Sequence, residues 1–123
     1  MINLFPHASD IINASSTSTS TGIVTVPGGR WFTADIQLSA SVAALGATCT
    51  PVVTYHVPAG TSGAGPANGS VLARISVTGL LATSNSDSNM TEILVYGGDN
   101  GCTLDFTAGA AGTSSVVING FLI

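Results

Sequence analysis

Residues 30–45, RWFTADIQLSASVAAL, alternate more strictly than any other part of the chain. The even positions Phe32, Ala34, Ile36, Leu38, Ala40, Val42 and Ala44 are all apolar, while the odd positions Trp31, Thr33, Asp35, Gln37, Ser39, Ser41 and Ala43 are mostly polar. Side chains of a strand point to opposite faces at successive residues, so this pattern specifies a long strand with one buried face. A helix of the same length would need apolar residues three and four apart, and the alternation denies it that stripe. The chain is therefore organised around a sheet.

The other segments repeat the signal in shorter form. Residues 22–26 read as a strand closed by the turn Pro27, Gly28 and Gly29. Residues 47–57 read as a strand with a defect at Pro51, which lacks a ladder donor and predicts an edge position or a bulge. Residues 71–80 form a second one-sided strand, followed by a polar turn over residues 83–89. Residues 90–96 and 102–108 read as a hairpin joined across the glycine-rich residues 97–101. Residues 115–123 are apolar on both faces, so this strand must be an inner one or be paired across a subunit boundary. Seven or eight strands with no helix predict an all-β domain, an antiparallel β-sandwich or jelly roll.

The beginning of the chain differs. Residues 1–13 carry the large apolar side chains Ile2, Leu4, Phe5, Ile11 and Ile12, yet residues 14–22 are Ser, Thr, Ala and Gly and bury little. Fully extended, that spacer reaches roughly 30 Å. The expected division is an extended N-terminal arm and spacer over 1–22 and a sandwich over 23–123. The five apolar residues of the arm are the expected partner contacts, on a sister subunit or another protein.

Charge limits the function. Only 7% of the residues are charged, against roughly 25% in ordinary domains. The chain has two Arg, no Lys and six acids, for a net charge of −4. That balance disfavours nucleic acid, whose phosphates need clustered cations, and it equally disfavours an anionic membrane surface. No apolar run is long enough for a membrane span. The first residues lack the basic end and apolar core of a secretory leader, so the expectation is a protein used without classical secretion. A surface so poor in charge implies that part of it is covered by neighbours.

Candidate chemistry is scattered. His7 lies three residues before Asp10, His56 stands alone on a strand, and no Gly-x-Ser-x-Gly elbow singles out a nucleophile. Asp35, Glu92 and Asp105 are the strand carboxylates from which a glycosidase pair would have to come. Asn85, Asp87 and Asn89, and separately Asp99 and Asn100, offer oxygen ligands to calcium, but they are also favoured turn residues. Cys49, His56 and Cys102 do not have zinc spacing. The two cysteines could bridge the sheets, although free thiols are commoner in a chain without a leader. The residues thus predict no cofactor, no metal and no catalytic group. Three classes stay open: a structural assembly protein, a carbohydrate-binding sandwich, which would need an exposed aromatic patch, and a hydrolase with scattered catalytic residues.

The opening MINLFPHASDIINASSTSTSTG, the following VTVPGGRWF and the closing SSVVINGFLI together resemble the small capsid decoration (cement) proteins of tailed bacteriophages. The likeness spans nearly the full length and lies in architecture, without a diagnostic motif. It implies a non-enzymatic virion protein, a homotrimer on the outer surface of the head, made in the host cytoplasm. Such a protein staples neighbouring major capsid protein subunits against the pressure of the packaged DNA. A tail or head-fibre β-sandwich module is the nearest neighbour within that class.

Overall fold

A computed structural model of the chain describes residues 8–61, 65–80 and 84–123. His7 and the arm residues Ile2, Leu4 and Phe5 lie outside the described residues. After a 3-10 turn at Ala8–Asp10, the strands are β1 (Ile11–Ser16), β2 (Ser20–Val26), β3 (Trp31–Val42), β4 (Thr48–Cys49), β5 (Val52–His56), β6 (Val71–Arg74), β7 (Val77–Thr78), β8 (Asn85–Tyr96), β9 (Cys102–Thr107) and β10 (Thr113–Leu122). Two four-stranded sheets result, in the orders β1-β10-β3-β8 and β2-β9-β5-β6, with β4 and β7 forming a small third sheet.

The order has a simple origin. The chain pairs as nested antiparallel ribbons, β1 with β10, β2 with β9, β3 with β8 and β5 with β6, and successive ribbons alternate between the sheets. That is a jelly roll, the antiparallel sandwich expected from the alternation. The even positions of β3 from Phe32 to Val42 are all buried. They meet Val24, Val26, Val53, Tyr55, Leu104 and Phe106 from the facing sheet. Each such large side chain removed from water contributes about 1.5–3 kcal/mol before ordering costs. The terminal strand β10 is an inner strand between β1 and β3, so its apolar character is used on one side by the core.

Several expectations are corrected. The two segments flanking residues 97–101 do not form a hairpin: β8 pairs with β3, and β9 pairs with β2 and β5 in the other sheet. The connection crosses between sheets because it is fastened to the parallel crossing at the β2–β3 turn. There Gly29 N–H donates to Gly98 O at 2.7 Å, Gly97 N–H donates to Arg30 O at 2.8 Å, and a side chain at Gly97 would collide with Pro27 O. The polar stretch 85–89, expected as a turn, is the first half of β8 and pairs in unbroken register with β3. Its side chains are mostly exposed, which removes the need for an apolar pattern.

Pro51 does not mark an edge. It interrupts one long ribbon, in which Thr48 pairs with Thr78, Cys49 with Val77, Val52 with Arg74 and Val53 with Ala73. The ribbon bends at Pro51, whose carbonyl accepts from Ile75 N–H at 3.3 Å, and β5 then runs as an inner strand. The single strand expected over 71–80 is divided by the same bend into β6 and β7.

Ile11–Ser16 is also corrected. β1 is a paired strand of the first sheet, with Ile11 opposite Phe121 and Ile12 opposite Gly120, so these residues belong to the sandwich and not to a detached arm. Ile12 is half-buried against the core, while Ile11 faces outward.

Candidate functional site

The outward face of the first sheet concentrates the side chains that the core leaves unused. Strand parity places its residues in rows across the four strands. One row runs Ile11, Phe121, Thr33, Leu94. The next runs Asn13, Asn119, Asp35, Glu92, and the one after it Ser15, Val117, Gln37, Met90. Beyond the first row, Trp31 lies opposite Tyr96, and Ile123 N–H donates to Trp31 O at 2.8 Å. Among the described residues ten large apolar side chains are exposed, and seven of them belong to these rows or their end. A scattered distribution would be unremarkable; seven gathered on one sheet face, on both sides of the polar Asn13–Asn119–Asp35–Glu92 row, mark a surface with a use.

Three features give the face its chemistry. Trp31 and Tyr96 stack with ring centroids 4.7 Å apart and planes tilted by 32°, and Trp31 is 44% exposed. Asp35 and Glu92 are direct cross-strand neighbours, an arrangement that like charges disfavour. A depression of about 530 Å³ opens over them, lined also by Ile11, Thr33, Asn119 and Phe121. At the opposite end a hydroxyl-rich depression of about 870 Å³ is lined by Ser39, Ser41, Ser86, Ser88 and Ser115. The chain enters the face at its apolar end, where Arg30 Nη2 donates to Asp10 Oδ1 at 3.1 Å and Arg30 Nε donates to Ile123 O at 3.1 Å.

The third strand carboxylate lies elsewhere. Asp105 projects from the outer side of the second sheet, where Oδ1 accepts from Gly22 N–H at 2.7 Å and Oδ2 lies 3.3 Å from His56 Nε2. Thr54 Oγ1 is 2.8 Å from the same nitrogen. A relay needs hydroxyl and carboxylate on different ring nitrogens. With both on Nε2, the imidazole cannot pass a proton from one to the other. The contact of Asp105 with Gly22, whose φ is +65°, holds the irregular start of β2.

Among the described residues no group of three or more His, Cys, Asp and Glu side chains gathers as a metal site. Asn85, Asp87 and Asn89 fall on one side of β8, and Asp99 and Asn100 lie in the β8–β9 connection. Cys49 and Cys102 are buried free thiols. Cys49 Sγ lies 3.3 Å from Ser114 Oγ, and burial pushes the Cys102 thiol up to about 11. Burial likewise raises the Tyr55 phenol.

Leu94, Met90, Phe121 and the Trp31–Tyr96 pair were not singled out by the sequence. The parity of β3 already put Trp31 outward, and that of β10 would have put Val117 and Phe121 beside it. The contribution of β8 was hidden by reading its first half as a turn. Comparison with protein-family models and with curated protein sequences finds no match for the chain.

Proposed function

We propose that this chain is a non-enzymatic virion structural protein that decorates the outside of a phage head and bridges major capsid protein subunits, acting as a homotrimer. The observation that carries the reading is the outward face of the first sheet. In a chain with 7% charged residues, most of the exposed large apolar side chains among the described residues lie on one sheet surface. Such a surface is stable in water only at a cost and is suited to being covered by protein. The acidic balance, with two Arg in all, supports a protein partner over nucleic acid or an anionic membrane. The resemblance to capsid decoration proteins supplies the class of partner.

The test is binding to heads of the encoding phage assembled without this protein. Saturable binding and a higher temperature of DNA release are expected on adding it back. Heads that neither bind it nor gain stability would overturn the reading. A second reading, a carbohydrate-binding or fibre module, is favoured by the stacked Trp31–Tyr96 pair, with Trp31 exposed, on the same sheet face as Asp35, Glu92, Asn13 and Asn119, since sugars are held by aromatic stacking and polar side chains. Binding to a glycan array that is lost in Trp31→Ala would establish that alternative.

A further inference from the structure

We propose that copies of this chain associate with one another through the outward face of the β1-β10-β3-β8 sheet, and that Arg74 of one copy seats against the Asp35–Glu92 pair of the next. The inference deepens the assembly part of the proposed function and rests on that part alone, not on attachment to a shell.

The argument starts from a charge inventory. The chain has two basic residues in total. Arg30 is occupied by Asp10 and by the carbonyl of Ile123. Arg74 is the other. It is exposed on β6, the edge strand of the second sheet, and among the described residues its guanidinium has no ion pair or hydrogen bond. Asp35 and Glu92 are likewise exposed and, among the described residues, are paired with no cation. Two like charges directly opposed across a ladder destabilise it unless a cation neutralises them.

Within one copy no ion pair joins Arg74 to Asp35 or Glu92, although the Arg74 carbonyl accepts from Asn89 Nδ2 of β8 at 3.4 Å. Ala73 turns into the core, so Arg74 leaves the outer side of the second sheet. Asp35 and Glu92 leave the outer side of the first sheet, so their side chains and that of Arg74 point to opposite sides of the sandwich. A cation for the pair is available from another molecule, since a second copy carries at an exposed edge an Arg74 that is unpaired among the described residues. The apolar surroundings match as well. Leu94 and Met90 flank Glu92 on its own strand, and Val71, 52% exposed, lies on the same short strand as Arg74. The contact sets an edge against a face, two different patches, a head-to-tail arrangement that forms a ring when the rotation between copies closes and a filament when it does not. Burying this face removes few charges from water, and the neighbour's Arg74 offsets one of the two carboxylate charges it does remove.

The experiment is sedimentation equilibrium of the full chain at low and high salt. Wild type is expected to associate, more weakly as salt screens the pair. Arg74→Glu and Glu92→Arg should each raise the dissociation constant at least about tenfold, and the double variant carrying both should restore most of the loss. Asp99→Arg, in the β8–β9 connection away from the face, is the control and should leave association unchanged. Arg74→Gln and Glu92→Gln, with circular dichroism melts, provide milder substitutions should a reversal disturb folding. A monomeric wild type, an assembly indifferent to both reversals, or a double variant no better than the singles would each overturn the inference. A monomer that still binds heads would overturn it without touching the decoration reading. An intact oligomer with no affinity for heads would do the reverse.

Discussion

Ile36 and Thr33 sit three residues apart on β3 and point to opposite sides of the sheet. Ile36 has no exposed surface, whereas Thr33 lies on the outward face. An aspartate at position 36 would bury an unpaired charge, at a cost of several kcal/mol against a typical total stability of about 5–15 kcal/mol. Ile36→Asp should therefore give no soluble folded protein, while Thr33→Asp should keep a native circular dichroism spectrum and lose at most about 1 kcal/mol. Identical behaviour of the two would refute the register of β3. Cys102 provides a pH test. Its folded pKa is raised from 9.0 to about 11 by burial. Below 9.0 the thiol is protonated in both states and contributes no pH dependence. Between 9.0 and about 11 the unfolded thiol ionises and the folded one does not, so stability falls as pH rises through that window. The slope from this group is at most about 1.4 kcal/mol per pH unit, and the raised Tyr55 phenol adds to it in the same direction. Urea midpoints measured across the window should decline in wild type and decline less steeply in Cys102→Ala. An equal slope in both would show that the thiol is not held protonated by the fold.

β1 is the strand that separates the two ends of the original expectation. It covers one edge of β10 with six paired residues, and Ile12 contributes to the core. Removing residues 2–16 would leave β10 as an apolar edge open to other chains. That truncation should yield aggregated protein or a melting temperature lower by several degrees, whereas removal of residues 2–7 should leave the melting temperature nearly unchanged. Equal melting of the two truncations would mean that β1 adds nothing to the sandwich. What could be read in advance follows from the same physics. β3 and β10 were legible because a buried face forces alternation. The pairing of β8 was not, because a glycine-rich connection between two alternating segments looks the same whether the strands form a hairpin or cross between sheets. Here the outcome is decided by contacts of Gly97 and Gly98 with the distant Pro27–Arg30 turn. Residues 85–89 were misread because an exposed strand held by backbone pairing needs no apolar residues. The outward site was half legible: Asp35 and Glu92 were noted as strand carboxylates, but their adjacency depends on the β3–β8 register.

The molecule as a whole has one sheet surface rich in apolar side chains, and the chain arrives at one end of it. Asp10, Arg30 and Ile123 are tied together there, beside Ile11 and Phe121. Residues 2–7, which precede the described residues, carry the apolar side chains Ile2, Leu4 and Phe5. Burying each of those three side chains against a capsid subunit would contribute about 1.5–3 kcal/mol, opposed by about 1–2 kcal/mol per residue for ordering the backbone. A net of only about 1.4 kcal/mol is enough for a tenfold change in affinity. Deleting residues 2–7 should therefore weaken attachment to undecorated heads at least about tenfold, while the melting temperature and solution mass of the isolated protein stay as in wild type. Replacing Ile2, Leu4 and Phe5 together by serine should reproduce the loss, which separates the apolar contacts from mere chain length. Undiminished binding by both variants would remove the arm from the attachment mechanism. A lowered melting temperature with attachment preserved would assign residues 2–7 to the stability of their own sandwich.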